Sequence, residues 1–239
     1  MRIAICEDDV TQAKILDFYL RKMAGKYKIE EIVPYSSGES LYRAIGRKER
    51  FDFYLLDINL PGLSGVELGM ILRRTDPEAG LVFITDYPQY VTQAFDLKSA
   101  QYLLKPVKSK VFLRTMSRLF EEHEKQYITY VLENERLLTL RIKDIISVEF
   151  YYGEIIITTM SAVHKFHTNV KQEKARLTAM HFLKTHQGYY VNPDHVQKIC
   201  SDCIYCAKDI RIPVSTRQRK KLLEEFHQYF AKPQLPPVF

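Results

Sequence analysis

Four short segments carry residue types that could do chemistry, and each such residue closes an apolar run. "RIAIC" (2–6) is followed by Glu7, Asp8 and Asp9. "FDFYLL" (51–56) is followed by Asp57, "LVFI" (81–84) by Thr85, and "QYLL" (101–104) by Lys105 and Pro106. Two or three carboxylates with a backbone carbonyl and water make an oxygen-rich site suited to Mg²⁺. A carboxylate can also act as a nucleophile and form an aspartyl-phosphate. The charge of a new phosphoryl group would then need partners. Mg²⁺ supplies part of this, Lys105 a point charge, and Thr85 a hydroxyl donor.

The elements that would position these groups are legible in the first half. Strands are expected at "RIAIC", "EIVPY", "FDFYLLD", "LVFIT" and "QYLLK". Between them lie amphipathic stretches that read as helices: residues 10–24, "SSGESLYRAIG", "GVELGMILRR" and a segment through about Leu97, with "SKVFLRTMSRLFEEHEKQ" after the last strand. Strands that are apolar throughout, in strand–helix alternation, imply a parallel sheet covered on both faces. In such a sheet the reactive groups lie beyond the carboxyl ends of the strands. The turn residues "PGLSG" (61–65) let the chain fold away after Asp57 and leave room there.

After about residue 126 the rhythm changes. "YITYVLENERLLTLRI" reads as a hairpin turning at Glu133-Asn134-Glu135, and "IISVEFYYGEIIITTM" as another turning near Gly153. "AVHKFHT" and "YYVN" add strands, and "CIYCAKDIRIPV" a further hairpin; helices are expected only at 170–180 and 215–230. The tail "KPQLPPVF" reads as extended because prolines block helix and ladder donors.

Bulk properties limit the function classes. The chain has 239 residues and a formal net charge of +6. Residues 1–125 hold 19 Lys+Arg against 18 Asp+Glu, giving +1; residues 126–239 hold 16 against 11, giving +5. A basic second half points to a polyanionic partner, most often nucleic acid. No run of about 18 apolar residues exists, so no membrane span is expected. Acids at positions 7–9 break any signal-peptide apolar region, and four Cys in a chain of this length fit a reducing cytoplasm.

The first half resembles the receiver domain of bacterial response regulators over residues 2–122. The resemblance rests on "ICEDD", "LLDINLPGLSG", "FIT" and "YLLKP" in that order. It implies that Asp57 is the phospho-acceptor and that Glu7, Asp8, Asp57 and the backbone carbonyl of Asn59 hold Mg²⁺. It makes Thr85 the switch hydroxyl, Lys105 the lysine of the site, and Tyr102 the aromatic that changes rotamer on activation. The Lys105–Pro106 bond is expected to be cis. Asp86, where a small residue is common, departs from the pattern.

The second half resembles the LytTR DNA-binding domain over residues 127–232, with 233–239 as a Pro-rich tail. "DIISVEFYYGEIIITT", "FLKTHQGYYVNPDHVQKI" and "IRIPVSTRQRKKL" carry the likeness. It implies DNA reading from loops, with contacts from His167, Asn169, Lys184, His186, Asn192, Arg217 and Arg219. Asn192 could equally cap a turn. Gln187, Gly188 and Thr216 depart from the usual residues.

The expected architecture is therefore an α/β doubly wound parallel five-stranded receiver domain followed by a β-rich LytTR-type DNA-binding domain. The implied function is a cytoplasmic transcriptional regulator and not a turnover enzyme. A sensor histidine kinase would phosphorylate Asp57 with Mg²⁺, and the phosphorylated homodimer would bind promoter repeats on double-stranded DNA. The alternative is a phosphorylation-independent DNA-binding regulator whose receiver serves only to dimerise. An Asp-nucleophile phosphohydrolase would usually carry a second acid two residues after the nucleophile, where this chain has Asn59. Cys200, Cys203 and Cys206 read as small buried residues of one strand, with Cys200 and Cys206 sharing a face. A zinc knuckle with His195, or a reversible redox pair, are the competing readings.

Overall fold

In the computed structural model, residues 1–86, 100–132 and 135–231 are described. The helix expected through Leu97, the turn residues Glu133 and Asn134, and the Pro-rich tail from 233 lie outside them. The chain divides into two units, Met1–Glu122 and His123–Phe239.

In the first unit, strands β1 (Arg2–Cys6), β2 (Glu31–Tyr35), β3 (Phe53–Asp57), β4 (Gly80–Thr85) and β5 (Ala100–Leu104) form one parallel sheet in the order β2-β1-β3-β4-β5. Helices α1 (Val10–Met23), α2 (Gly38–Gly46), α3 (Gly65–Thr75) and α4 (Ser109–Glu124) accompany it. The unbroken apolar character of the strands has a direct cause. Ile3, Ile5, Phe53, Leu55, Val82 and Ile84 pack into one core, on the side of Leu16, Leu20, Phe112 and Phe120. Their strand neighbours Ala4, Cys6, Tyr54, Leu56, Leu81 and Phe83 pack into a second core with Leu41, Leu68 and Leu72. Period-two alternation sends successive side chains to opposite faces, and both faces are buried.

Strand order reverses at β1, which pairs with β2 on one side and β3 on the other. A doubly wound sheet opens a crevice at this point, beyond its carboxyl edge. Two glycines make the crevice possible. A Cβ on Gly65 would lie 2.0 Å from the Asp57 carbonyl oxygen, and one on Gly38 2.0 Å from that of Leu63. Only a bare backbone lets the starts of α3 and α2 come so close to this loop.

In the second unit, β8 (Ile145–Tyr151), β9 (Glu154–Thr159), β10 (Val163–His167), β11 (Leu183–His186) and β12 (Tyr189–Val191) form a sheet ordered β10-β9-β8-β12-β11. β13 (Val196–Ile199), β14 (Cys203–Cys206) and β15 (Ile210–Pro213) form a second, and β6 (Tyr127–Val131) pairs with β7 (Leu137–Arg141). The five-stranded sheet also has two cores. Ile145, Val148, Ile155 and Tyr190 join Ile128, Leu140 and Leu177, the last from α5 (Val170–Ala179). Ile146, Leu183 and Val191 join Ile204, Ile212 and Leu222, the last from α6 (Thr216–Ala231).

One expectation is corrected here. Cys200, Cys203 and Cys206 do not lie on one strand. The chain turns between β13 and β14, and Cys200 N–H donates to the Cys203 carbonyl at 2.8 Å. The register then places Cys200 and Cys203 across from each other, in line with Ile199 opposite Ile204. Cys206 sits on the opposite face of β14, in the core with Ile204.

Candidate functional site

The ends of β1 and β3 bring three carboxylates together. One ligand atom from each of Glu7, Asp8 and Asp57 lies within 4.8 Å of the others. Glu7 and Asp57 are 3% and 4% exposed, and Asp8 is open to solvent. Asp9, the next acid in the run, does separate work. It caps α1, its Oδ1 accepting from Thr11 N at 2.7 Å and Gln12 N at 3.3 Å, and these bonds hold its carboxyl below the usual range.

Lys105, just past β5, reaches into this group. Its Nζ donates to Asp57 Oδ2 at 2.8 Å and to Glu7 Oε1 at 3.0 Å. Burial pulls the ammonium toward its neutral form, but the bonds to Asp57 and Glu7 outweigh that and hold its pKa above the ordinary lysine value. Glu7 goes the other way. Burial, with the neighbouring Asp57 charge adding to it, pushes its carboxyl up to about 7 against the pull of Lys105.

Asp57 Oδ1 accepts the Asn59 N–H at 3.0 Å, so the loop after β3 fixes the carboxylate's orientation. The loop itself is braced. Glu39 on α2 accepts the Leu63 N–H at 2.8 Å, and Ser64 and Glu67 form a capping box that starts α3. Thr85 is fully buried at the end of β4, one register step beyond Ile84, the partner of Asp57. Its carbonyl accepts the Lys105 N–H at 2.8 Å. The Lys105–Pro106 bond is cis. Tyr102, half-buried on β5, stacks on Phe83 with ring centroids 5.4 Å apart. Asp86 is exposed.

The donor set fits a hard divalent cation. All three side chains offer oxygen, and Glu7 Oε2 is buried without a hydrogen-bond partner, although Lys105 Nζ stands 3.0 Å from it.

Residues 3–117 match the response regulator receiver domain, and residues 135–227 match the LytTr DNA-binding domain. The chain belongs to the response regulators that join a receiver domain to a LytTR domain. Its domains are those of a two-component transcriptional regulator. Similar curated proteins include the transcriptional regulatory protein BtsR of Shigella flexneri, 27% identical over 244 residues, which cover 94% of this chain and 98% of that one. The sensory transduction protein LytT of Bacillus cereus is 24% identical over 196 residues, 73% of this chain and 80% of its own. The transcriptional regulatory protein YpdB of Escherichia coli K12 is 22% identical over 247 residues, 95% and 100%.

In the LytTR unit of this response regulator, sheet order gathers residues that are scattered in sequence. His167 ends β10 opposite Glu154, which starts β9; Tyr151 ends β8 opposite Glu154. Tyr189 starts β12 opposite Glu149 and faces His186, the end of β11. All of these lie at one end of the sheet. Thr185 carbonyl accepts the Ser215 N–H at 2.9 Å, which ties the start of α6, with Arg217 and Arg219, to the same end. Both arginines are exposed, as are His167, Asn169 and His186, while Lys184 is half-buried. The arginines sit on the first turns of a helix, not in a loop. Asn169 also caps α5, its Oδ1 accepting from Gln172 N at 3.2 Å.

Asn192 is placed differently. It is 4% exposed; its Nδ2 donates to the Ile142 carbonyl at 3.2 Å and its Oδ1 accepts from Asp194 N at 3.1 Å. Its amide is engaged inside the fold, the capping alternative of the sequence reading. One feature at the gathered end escaped that reading. Tyr151 and Tyr152, 56% and 89% exposed, form the tip of the β8–β9 hairpin with rings 4.5 Å apart. The "YYG" turn was the available signal: positive φ at Tyr152 and Gly153 makes a two-residue hairpin that leaves both rings outside.

Proposed function

We propose that this response regulator is switched by phosphorylation of Asp57 and answers by binding DNA through its LytTR unit. The observation that carries the first part is the geometry at the carboxyl edge, where Lys105 Nζ bridges Asp57 and Glu7 within 3.0 Å. An Asp57 carboxylate oxygen attacks phosphorus of a phosphohistidine on a sensor kinase; the P–N bond breaks and an acyl phosphate forms. Glu7, Asp8, Asp57 and the Asn59 carbonyl would hold Mg²⁺, which would supply charge neutralisation for the phosphoryl oxygens. The Asn59 N–H orients the carboxylate, and Lys105 follows the charge from carboxylate to phosphoryl group. Thr85 and Tyr102, on the adjoining strand ends, transmit the change by a new hydroxyl–phosphoryl contact and a new ring packing.

The protein is in this reading a cytoplasmic switch and not a turnover enzyme. Phosphorylation promotes homodimers, and two LytTR units on adjacent promoter repeats gain affinity through effective concentration. His167, Asn169, Lys184, His186, Arg217 and Arg219 supply the DNA face, joined by Tyr151 and Tyr152; Asn192 supports the fold behind it. Among the described residues, no helix is long and apolar enough to cross a membrane. The test is labelling with acetyl phosphate and Mg²⁺. Wild type takes up one acid-stable, base-labile phosphoryl group and Asp57→Ala takes up none; equal uptake by both would overturn the assignment.

A further inference from the structure

We propose that Cys200 and Cys203 form a reversible disulfide that closes the β13–β14 turn and acts on the start of α6. All four cysteines of the chain are unpaired in the structure. The two at this turn stand in a relationship that the others lack. Their residue numbers continue the antiparallel register of Ile199 with Ile204, and Cys200 N–H bonds the Cys203 carbonyl at 2.8 Å. Directly opposed residues of a hydrogen-bonded antiparallel pair have Cα atoms roughly 5.5 Å apart and side chains on one face. That separation lies within the range of about 4.4–6.8 Å that a disulfide spans.

The local chemistry separates the two roles. Cys200 is half-exposed and open to an oxidant, whereas Cys203 is 3% exposed behind it. The Arg211 guanidinium and the Asp202 carboxylate both contact Cys203, and they pair with each other at 2.7 Å. Cys206 and Cys6 are buried, and burial pushes each thiol up to about 12, which leaves them unreactive.

The step balances with hydrogen peroxide as oxidant. The Cys200 sulfur takes one peroxide oxygen to give a sulfenic acid as the O–O bond breaks, and the departing hydroxide takes up the proton of the Cys200 thiol and leaves as water. The Cys203 sulfur then attacks the Cys200 sulfur, the S–S bond forms as the S–O bond breaks, and the departing hydroxide takes up the Cys203 proton and leaves as a second water. A cellular dithiol returns both thiols and is itself oxidised. Such a bond in a reducing compartment is transient and sensing rather than structural.

The turn is wired to the DNA face proposed above, and this part of the inference rests on that reading. The Asp202 carbonyl accepts the Val214 N–H at 2.8 Å, and the next residue, Ser215, bonds Thr185 at the start of α6. Closing the turn shifts Asp202, and with it the support of the segment that presents Arg217 and Arg219.

The full chain is treated with hydrogen peroxide, its remaining thiols are alkylated under denaturing conditions, and the intact mass is read. Two of the four thiols should become unavailable and return with dithiothreitol. Cys206→Ala should behave the same, and Cys200→Ser, at a half-exposed position, should lose no pair. Full alkylation after peroxide, a pairing that survives Cys200→Ser, or one that needs Cys206 overturns the disulfide. The oxidised chain should bind mixed-sequence duplex DNA several-fold more weakly than the reduced one, and Cys200→Ser should show no change. Equal binding in both states overturns the coupling to α6. The thiol count is independent of DNA, so the two claims fail separately.

Discussion

Lys105 Nζ stands 2.8 Å from Asp57 Oδ2 and 3.0 Å from Glu7 Oε1, so a single ammonium serves two buried carboxylates from different strands. The third acid, Asp8, is open to solvent. The group is short of positive charge on the side from which a cation and a phosphoryl donor would approach.

Removing that ammonium leaves Glu7 and Asp57 buried side by side. Breaking a buried ionic group by deleting one partner costs about 3 kcal/mol or more. Lys105→Ala is therefore expected to lower the stability of the metal-free protein by about 3 kcal/mol. Mg²⁺ should restore part of the loss, because it binds the folded state alone. Urea denaturation with and without Mg²⁺ measures both.

The raised Glu7 carboxyl gives a defined pH dependence. The folded state holds this proton up to about 7, against an ordinary glutamate value of 4.5. A protonated Glu7 favours folding, so its contribution is complete below 4.5 and fades as pH rises through about 7. In metal-free protein, Glu7→Gln should remove this downward slope and leave the variant more stable than wild type at neutral pH. A wild-type slope unchanged by the substitution would contradict it.

Gly65 is predicted to tolerate no side chain. A Cβ there would meet the Asp57 carbonyl at 2.0 Å, and backbone cannot yield as a side chain can. Gly65→Ala should lose roughly 2 kcal/mol or more of stability. It should also slow labelling of Asp57, since the clash falls on the proposed acceptor's own backbone. Thermal melts and acetyl-phosphate labelling on the same samples check the two effects together.

The proposed DNA face makes a prediction that charge alone would not. Arg217→Ala should weaken binding about equally on all sequences and reduce the salt slope by about 1, as expected for loss of one phosphate contact. Tyr152→Ala removes an uncharged ring and should weaken binding with the salt slope intact. Titrations at several salt concentrations separate them.

Much of the receiver was legible because its strands are buried on both faces. "FYLLD" reads as a strand ending in an acid, and the four chemical groups follow from where such strands end. The Lys105–Pro106 bond is cis, as the family resemblance implied. The LytTR unit was harder. β11 and β13 have four residues each, too few for a period to show. Cys200 reads as strand in the sequence because the two turn residues Ser201 and Asp202 include no glycine or proline. Asn192 offers the same amide to a base edge and to a turn, and only the packing around Ile142 shows that it points inward. That His167 and His186 share one end of the sheet depends on strand order, which no local pattern encodes.

The account turns on phosphorylation of Asp57 controlling DNA binding, and selection from random genomic fragments tests that directly. Wild-type protein with phosphoryl donor and Mg²⁺ should enrich a repeated site that neither unphosphorylated wild type nor Asp57→Ala enriches. Equal enrichment by all three would contradict the switch and leave the receiver as a dimerising module alone.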